Sequence, residues 1–243
     1  MAKIKIAIPC KNKKEDILLL KNDRTAKDME RLRVEESVQI DLEYIDNNVL
    51  TLTQFGNKFL NECKDASYDY LIFMHADVDL SIYDFVKHLL DVKDKYDIVG
   101  VAGTKKLFVS QSPLTWFTGS HKFPQDRYGR ITHDHGGMML ESFFNREKPD
   151  VADTDVVTID GLLMCFNKKI IQDEKTRFDE QFTYDFYDLD FCMNVQFNTD
   201  YKIGVFVQPT IHNSLGKSVL TEEYLIPERK FRQKYQDKFG KKD

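Results

Sequence analysis

A chain of 243 residues with 42% hydrophobic and 31% charged residues can bury a sizeable core, which excludes a disordered segment and favours one large α/β domain. Its net charge of −5 argues against broad attraction to nucleic acid, and no apolar run approaches the roughly 20 residues that cross a bilayer. Ile4 to Ile8 is too short for a signal-peptide core, and Cys10, Cys63, Cys165 and Cys192 are scattered without a Cys-x-x-Cys pair, so a cytoplasmic protein with reduced, buried thiols is expected.

Lys3 to Ile8 alternates basic and aliphatic residues and reads as a first strand, broken by Pro9-Cys10-Lys11-Asn12 at a ligand-facing end. Asn12 suits a nucleobase or ribose contact, and equally a turn that bonds its own backbone. Residues 14–36 predict a helix with a break near Asn22-Asp23, and Val38 to Ile45 a second strand ending at Asp46-Asn47-Asn48. Phe55, Phe59, Leu60 and Cys63 recur at helical spacing between Thr53 and Cys63.

The segment DYLIFMHADVDL carries the strongest signal. Its apolar run Tyr70 to Met74 suits a buried parallel strand, and Asp77 and Asp79 follow where such a strand ends. Open α/β sheets place ligands there, and two carboxylates can hold Mg²⁺ or Mn²⁺ with positions left for phosphate oxygens. A lone Asp-x-Asp also fits a solvated cap of the next helix. That helix, opened by Ser81 and Asp84, turns Ile82, Phe85, Val86, Leu89 and Leu90 inward. Asp97 to Gly103 then completes an alternation of strands and helices that predicts a parallel sheet with right-handed crossovers. Neither a Gly-x-Gly-x-x-Gly nor a P-loop occurs, so phosphate charge calls for a metal.

From Lys105 to Asp155 the pattern dissolves around Trp116, Phe117, His121, Phe123, Tyr128, His133, His135 and Gly136-Gly137, an irregular stretch suited to an acceptor pocket. Without a third ligand nearby, His133-x-His135 reads as a loop pair. Val156 to Phe166 predicts a strand with Asp160-Gly161 in its middle, where glycine often marks a close approach. Asp188 and Asp190 open a buried segment through Phe191, Met193, Val195 and Phe197. At a helix N-terminus the dipole favours their ionised form, as caps or as a base. Ile203 to Val207 predicts a further strand, followed by a polar loop from His212 to Lys217. Lys217 suits closure over a diphosphate as well as plain solvent exposure. Arg229 to Lys242 holds seven basic residues against Asp237, with Phe231, Tyr235 and Phe239 on one helical face. Docking of that face on the core is expected ahead of contact with an anionic partner such as membrane lipid, polyanionic glycan or modified DNA.

In order, the stretches IAIPCKN, NKFLNECKDASYDYLIFMHADVDL, DIVGVAG, VVTIDGLLMCFNKKII, FDEQFTYDFYDLDFC and IHNSLG resemble a family 2 type glycosyltransferase of GT-A fold, particularly the branch related to the StrF domain of streptomycin biosynthesis. The resemblance implies one domain with a Rossmann-like, mostly parallel central sheet flanked by helices: a nucleotide-sugar half at 1–104, an acceptor and catalytic half at 105–220 with an irregular insertion, and a basic amphipathic helix at 221–243. It implies that Pro9, Asn12, Asp46 and Asp77 meet the donor, that Asp160 and Gly161 meet the acceptor, and that Asp188 is the base; Asn57 and Lys217 are expected beside them as donor contacts, and Trp116 as an acceptor contact. His75 replaces the usual first acid, which leaves Asp77, Asp79 and His212 to hold Mn²⁺ or Mg²⁺, and Tyr187 stands where Glu is common. The implied activity is metal-dependent, inverting transfer from a nucleotide-diphosphate sugar, a UDP-sugar by family habit, to a glycan, lipid-linked sugar, protein or modified nucleobase. A catalytically silent GT-A module and a sugar nucleotidyltransferase are the alternatives, and the basic helix admits a peripheral contact at the inner membrane face.

Overall fold

The basic and aliphatic alternation at the start of the chain folds as β1 (Ala2–Pro9), in a computed structural model that describes residues 1–107, 126–134, 139–143 (backbone only), 152–214 and 221–238. Trp116, His121, His135, Gly136, Gly137, Lys217 and Phe239 lie outside the described residues. After short 3-10 turns at Lys14–Asp16 and Leu18–Lys21 come α1 (Arg24–Glu35), β2 (Val38–Ile45), α2 (Leu52–Asp65), β3 (Tyr70–Met74), β4 (Val78–Leu80) and α3 (Ile82–Asp91). Next are β5 (Ile98–Gly100), β6 (Ala102–Thr104), β7 (Arg127–Asp134), β8 (Met139–Phe143), β9 (Asp153–Asp155), β10 (Thr158–Ile159) and β11 (Leu163–Asn167). The remaining elements are α4 (Lys168–Gln172), α5 (Tyr187–Asn198), β12 (Ile203–Phe206), β13 (Pro209–His212) and α6 (Glu222–Tyr235).

Among the described residues, the central sheet has seven strands in the order β2-β1-β3-β11-β5-β12-β9. β1 runs parallel to β2 and β3, and β12 parallel to β5, while β11 and β9 run antiparallel to their neighbours. Successive residues of β3 serve opposite faces, as the pleat requires. Leu71 and Phe73 join a core with α2, α4, α5 and α6; Tyr70, Ile72 and Met74 join a second core with α1 and α3. Helices on both faces explain why the run has no polar residue. The caps are local: Thr51 Oγ1 accepts from Gln54 N–H while Gln54 Oε1 accepts from Thr51 N–H, and Ser81 Oγ accepts from Asp84 N–H.

Several expected elements change. Residues 14–21, expected as the first part of a helix, form only the two 3-10 turns, and the stretch 105–155, expected to be irregular, contributes β7, β8 and β9, with His133 in β7 opposite His212 rather than in a loop. Residues 97–103 form two strands in different sheets, because the chain crosses at Val101 from β5 to β6, which belongs to a second sheet ordered β10-β6-β7-β13-β4. Residues 156–166 likewise divide into β10 and β11, with Asp160-Gly161-Leu162 as the turn between sheets. The polar loop expected from His212 begins one residue later, since Pro209–His212 pairs with β4 and β7.

The aromatic stripe of α6 packs on its own chain. Phe231 is fully buried against Phe182 and Phe186, and the Tyr235 hydroxyl donates to Asp190. Pro227 inside α6 forgoes one backbone hydrogen bond, which this burial offsets. Phe231→Ala is expected to cost about 3–5 kcal/mol in urea denaturation, the range for truncating a core aromatic. A shift below about 1 kcal/mol would place the helix outside the cooperative core.

Candidate active site

The carboxyl ends of β1, β2 and β3 lie on one edge of the sheet because these strands are parallel. Backbone bonds fix the turn after β3: His75 N–H donates to Leu162 O at 3.0 Å, Leu18 N–H to Ala76 O at 2.7 Å and Asn213 N–H to Asp77 O at 2.8 Å. β13 brings His212 opposite Val78, beside that turn. As a result one potential ligand atom from each of His75, Asp77 and His212 lies within 4.8 Å of the others.

The electrostatics of the cluster are reciprocal. Burial alone would raise Asp77, yet His212, 3.6 Å away, and His75 hold it below the usual carboxylate range. Burial works to lower His212, and the bond to Asp77 overrides it and raises that imidazole. His75 is pushed down by burial, against the pull of Asp77. Two imidazoles and one carboxylate are a competent donor set for a borderline divalent cation, with open positions for substrate oxygens, and suit Mn²⁺ better than the all-oxygen preference of Mg²⁺.

Asp79 stands apart from this cluster, contrary to the expectation that it shares the cation with Asp77. The chain turns at 75–77 and enters β4, so Asp79 is buried toward α1. There Arg24 Nη2 donates to its Oδ1 at 2.9 Å and Asn22 Nδ2 to its Oδ2 at 3.3 Å, which makes Asp79 a structural anchor.

Across the turn from His75 sit Asp160, Gly161, Tyr187 and Asp188. Phe186 precedes α5 in the left-handed conformation, φ 68°, and so swings Tyr187 and Asp188 into the first turn facing Gly161. Gly161 N–H donates to Asp188 Oδ2 at 2.9 Å, and Leu189 N–H to Asp188 Oδ1 at 2.8 Å. The Tyr187 hydroxyl donates to Gly161 O at 2.8 Å and lies 2.7 Å from His75 Nε2. Burial, with the charge of Asp160, pushes Asp188 up to about 7, outweighing the helix-terminal preference for its ionised form. Tyr187 is raised well above the ordinary phenol range by burial and by Asp188, Asp160 and Asp77, so its hydrogen stays in place.

Among the residues expected to meet a donor, Pro9 pairs with Ile45, and Asn47 N–H donates to Asn12 O at 3.2 Å, which sets Asn12 beside Asp46 at the same sheet edge. Lys14 lies over the Tyr44 ring at 5.1 Å, and Lys11 over the half-exposed Tyr184 ring at 5.5 Å. Asn57 is engaged elsewhere: its Nδ2 donates to Phe178 O at 3.0 Å and to Glu180, and its Oδ1 accepts from Phe178 N–H at 2.8 Å. Trp116 and Lys217 lie outside the described residues. The sequence placed neither His75 in the candidate ligand set nor Tyr187 beside it; a histidine two residues before Asp77, at a strand end, was the available signal.

A family model described as "Glycosyltransferase like family" matches residues 10–235. No protein of curated function matches in sequence. Among solved structures, a fragment of S. aureus TarS spanning residues 1–349, in complex with UDP, is 12% identical and aligns at a TM-score of 0.52 over 94% of this chain and 64% of that one. A second S. aureus TarS structure, also 12% identical with a TM-score of 0.52, is covered over 40% of its length and covers 98% of this chain, so the chain spans well under half of it. At this identity the likeness is one of fold: a mixed α/β, GT-A-like architecture with a central sheet between helices.

Proposed function

From the premise that the chain belongs to the glycosyltransferase-like family, we propose that it moves a sugar from a nucleotide-diphosphate donor, a UDP-sugar, to an acceptor hydroxyl with inversion. One observation carries this reading: the three candidate cation ligands His75, Asp77 and His212 are linked to the carboxylate of Asp188 through Tyr187 and Gly161. UDP as the nucleotide is supported by the UDP complex of the TarS fragment and by the sheet edge where Asn12 and Asp46 are exposed and Tyr44 is half-buried. The family branch related to StrF, and the division into a donor half at 1–104, an acceptor half at 105–220 and a helix at 221–243, belong to the same proposal.

His75, Asp77 and His212 would hold the cation, which when bound neutralises charge on the departing diphosphate. Asp188, deprotonated, takes the proton of the acceptor hydroxyl as that oxygen forms a bond to the anomeric carbon. The bond from that carbon to the diphosphate oxygen breaks on the opposite face, its electron pair leaves with the nucleotide, and the centre inverts. Asp160 raises the basicity of Asp188 by its negative charge.

A thermal-shift screen tests the reading. UDP with Mn²⁺ is expected to raise the melting temperature well above either alone, because saturation at about 100 times Kd adds about 2.7 kcal/mol to stability. No shift with any nucleotide or nucleotide sugar, with or without metal, would contradict it. No helix among the described residues is long and apolar enough to cross a membrane.

A further inference from the structure

The Tyr187 hydroxyl has one hydrogen, and it is committed. It points at Gly161 O, 2.8 Å away, a carbonyl that can only accept. The same oxygen lies 2.7 Å from His75 Nε2. That second contact is a hydrogen bond only if Nε2 carries the proton and Tyr187 accepts. A neutral imidazole has a single N–H, so its Nδ1 is then a bare lone pair.

We propose that Tyr187 is a positioning residue that locks His75 in its Nε2–H tautomer and thereby offers Nδ1 to the cation shared with Asp77 and His212. The inference rests on the cation reading of the cluster given above, and adds how the ligand is prepared. A ligating histidine whose other ring nitrogen donates to a fixed acceptor is oriented and made more basic. Here the acceptor is a buried phenol, itself anchored to backbone.

Gly161 makes this seat. A Cβ at position 161 would stand 2.0 Å from Tyr187 Oη and 2.3 Å from its Cζ, closer than any real contact, so any other residue there displaces the phenol. The glycine is gripped from both sides: its carbonyl accepts from Tyr187, and its N–H donates to Asp188. Loss of the phenolic hydroxyl therefore frees His75 while leaving the Asp188 bond in place.

The test uses the full chain and Mn²⁺ alone. Long-range proton–nitrogen NMR of the metal-free wild type is expected to show His75 as a single tautomer protonated at Nε2. Calorimetric titration is expected to show Mn²⁺ affinity about 10–100-fold weaker in Tyr187→Phe, the usual cost of removing an outer partner of a metal ligand, with the same direction in Gly161→Ala. A His75 protonated at Nδ1 in the wild type, or Mn²⁺ affinity in Tyr187→Phe within about twofold of wild type, would overturn the inference. Wild-type protein that takes up no Mn²⁺ would instead overturn the cation reading beneath it, a failure seen before any variant is made.

Discussion

Asp188→Asn is expected to lower kcat by about 10²–10⁴-fold, the contribution of a positioned general base, while leaving Kd for UDP and for Mn²⁺ unchanged. Each carboxylate oxygen of Asp188 already accepts one backbone N–H, from Gly161 and Leu189, and each keeps a lone pair for an acceptor proton. An amide cannot take that proton. A base whose pKa is about 7 combines availability with driving force at neutral pH, where an exposed aspartate is a weaker base. The sign follows from its raised pKa: the active form is the ionised one, so kcat/KM rises with pH and levels off above about 7. A cation in the nearby cluster moves that midpoint lower, because positive charge favours the carboxylate. A pH–rate profile of wild type should show this acid limb. Retention of transfer by Asp188→Asn would remove Asp188 from the base role.

The second large effect is at Asp77. Asp77→Ala is expected to weaken Mn²⁺ binding by more than about 100-fold, beyond the range for loss of an outer partner, and to stop metal-stimulated release of nucleotide diphosphate from the donor. Asp79→Asn is the matched control. It should leave Mn²⁺ affinity unchanged and instead lower stability by about 1–3 kcal/mol, since it weakens a hydrogen-bonded ion pair to Arg24. Equal losses of Mn²⁺ affinity in the two variants would restore the Asp-x-Asp pair as the ligand set. The wild-type affinity should also fall with acid. His212 must be neutral to ligate, its pKa is raised by Asp77, and protons therefore compete with the ion as pH drops through that raised value.

What the sequence could reveal was local. The apolar run of β3, the Ser81 cap, the break before α1 and the alternation of β1 all depend on neighbours a few residues away, and they fold where the pattern puts them. Placing Asp77 at a strand's carboxyl end was also local, and the cluster forms there. The direction of Asp79 was not legible, because it depends on the pairing of β4 with β13 and on Arg24 arriving from α1. The role of His75 needed His212 beside it, which strand pairing supplies from far along the chain. Asp160-Gly161 was singled out as a close approach, and Gly161 is one, yet the group that approaches is Tyr187, and the segment is a turn between two sheets. The raised pKa of Asp188 reverses the helix-dipole expectation because burial and Asp160, both products of tertiary structure, exceed a partial charge at a helix end.

Crystals of the wild-type chain grown with MnCl₂ and UDP give the most direct measurement. The expected result is an anomalous manganese peak about 2.0–2.3 Å from atoms of His75, Asp77 and His212, with diphosphate oxygens completing the coordination and Asp188 facing the same cleft. Manganese bound elsewhere, with UDP on a surface remote from Asp77 and Asp188, would contradict the shared site.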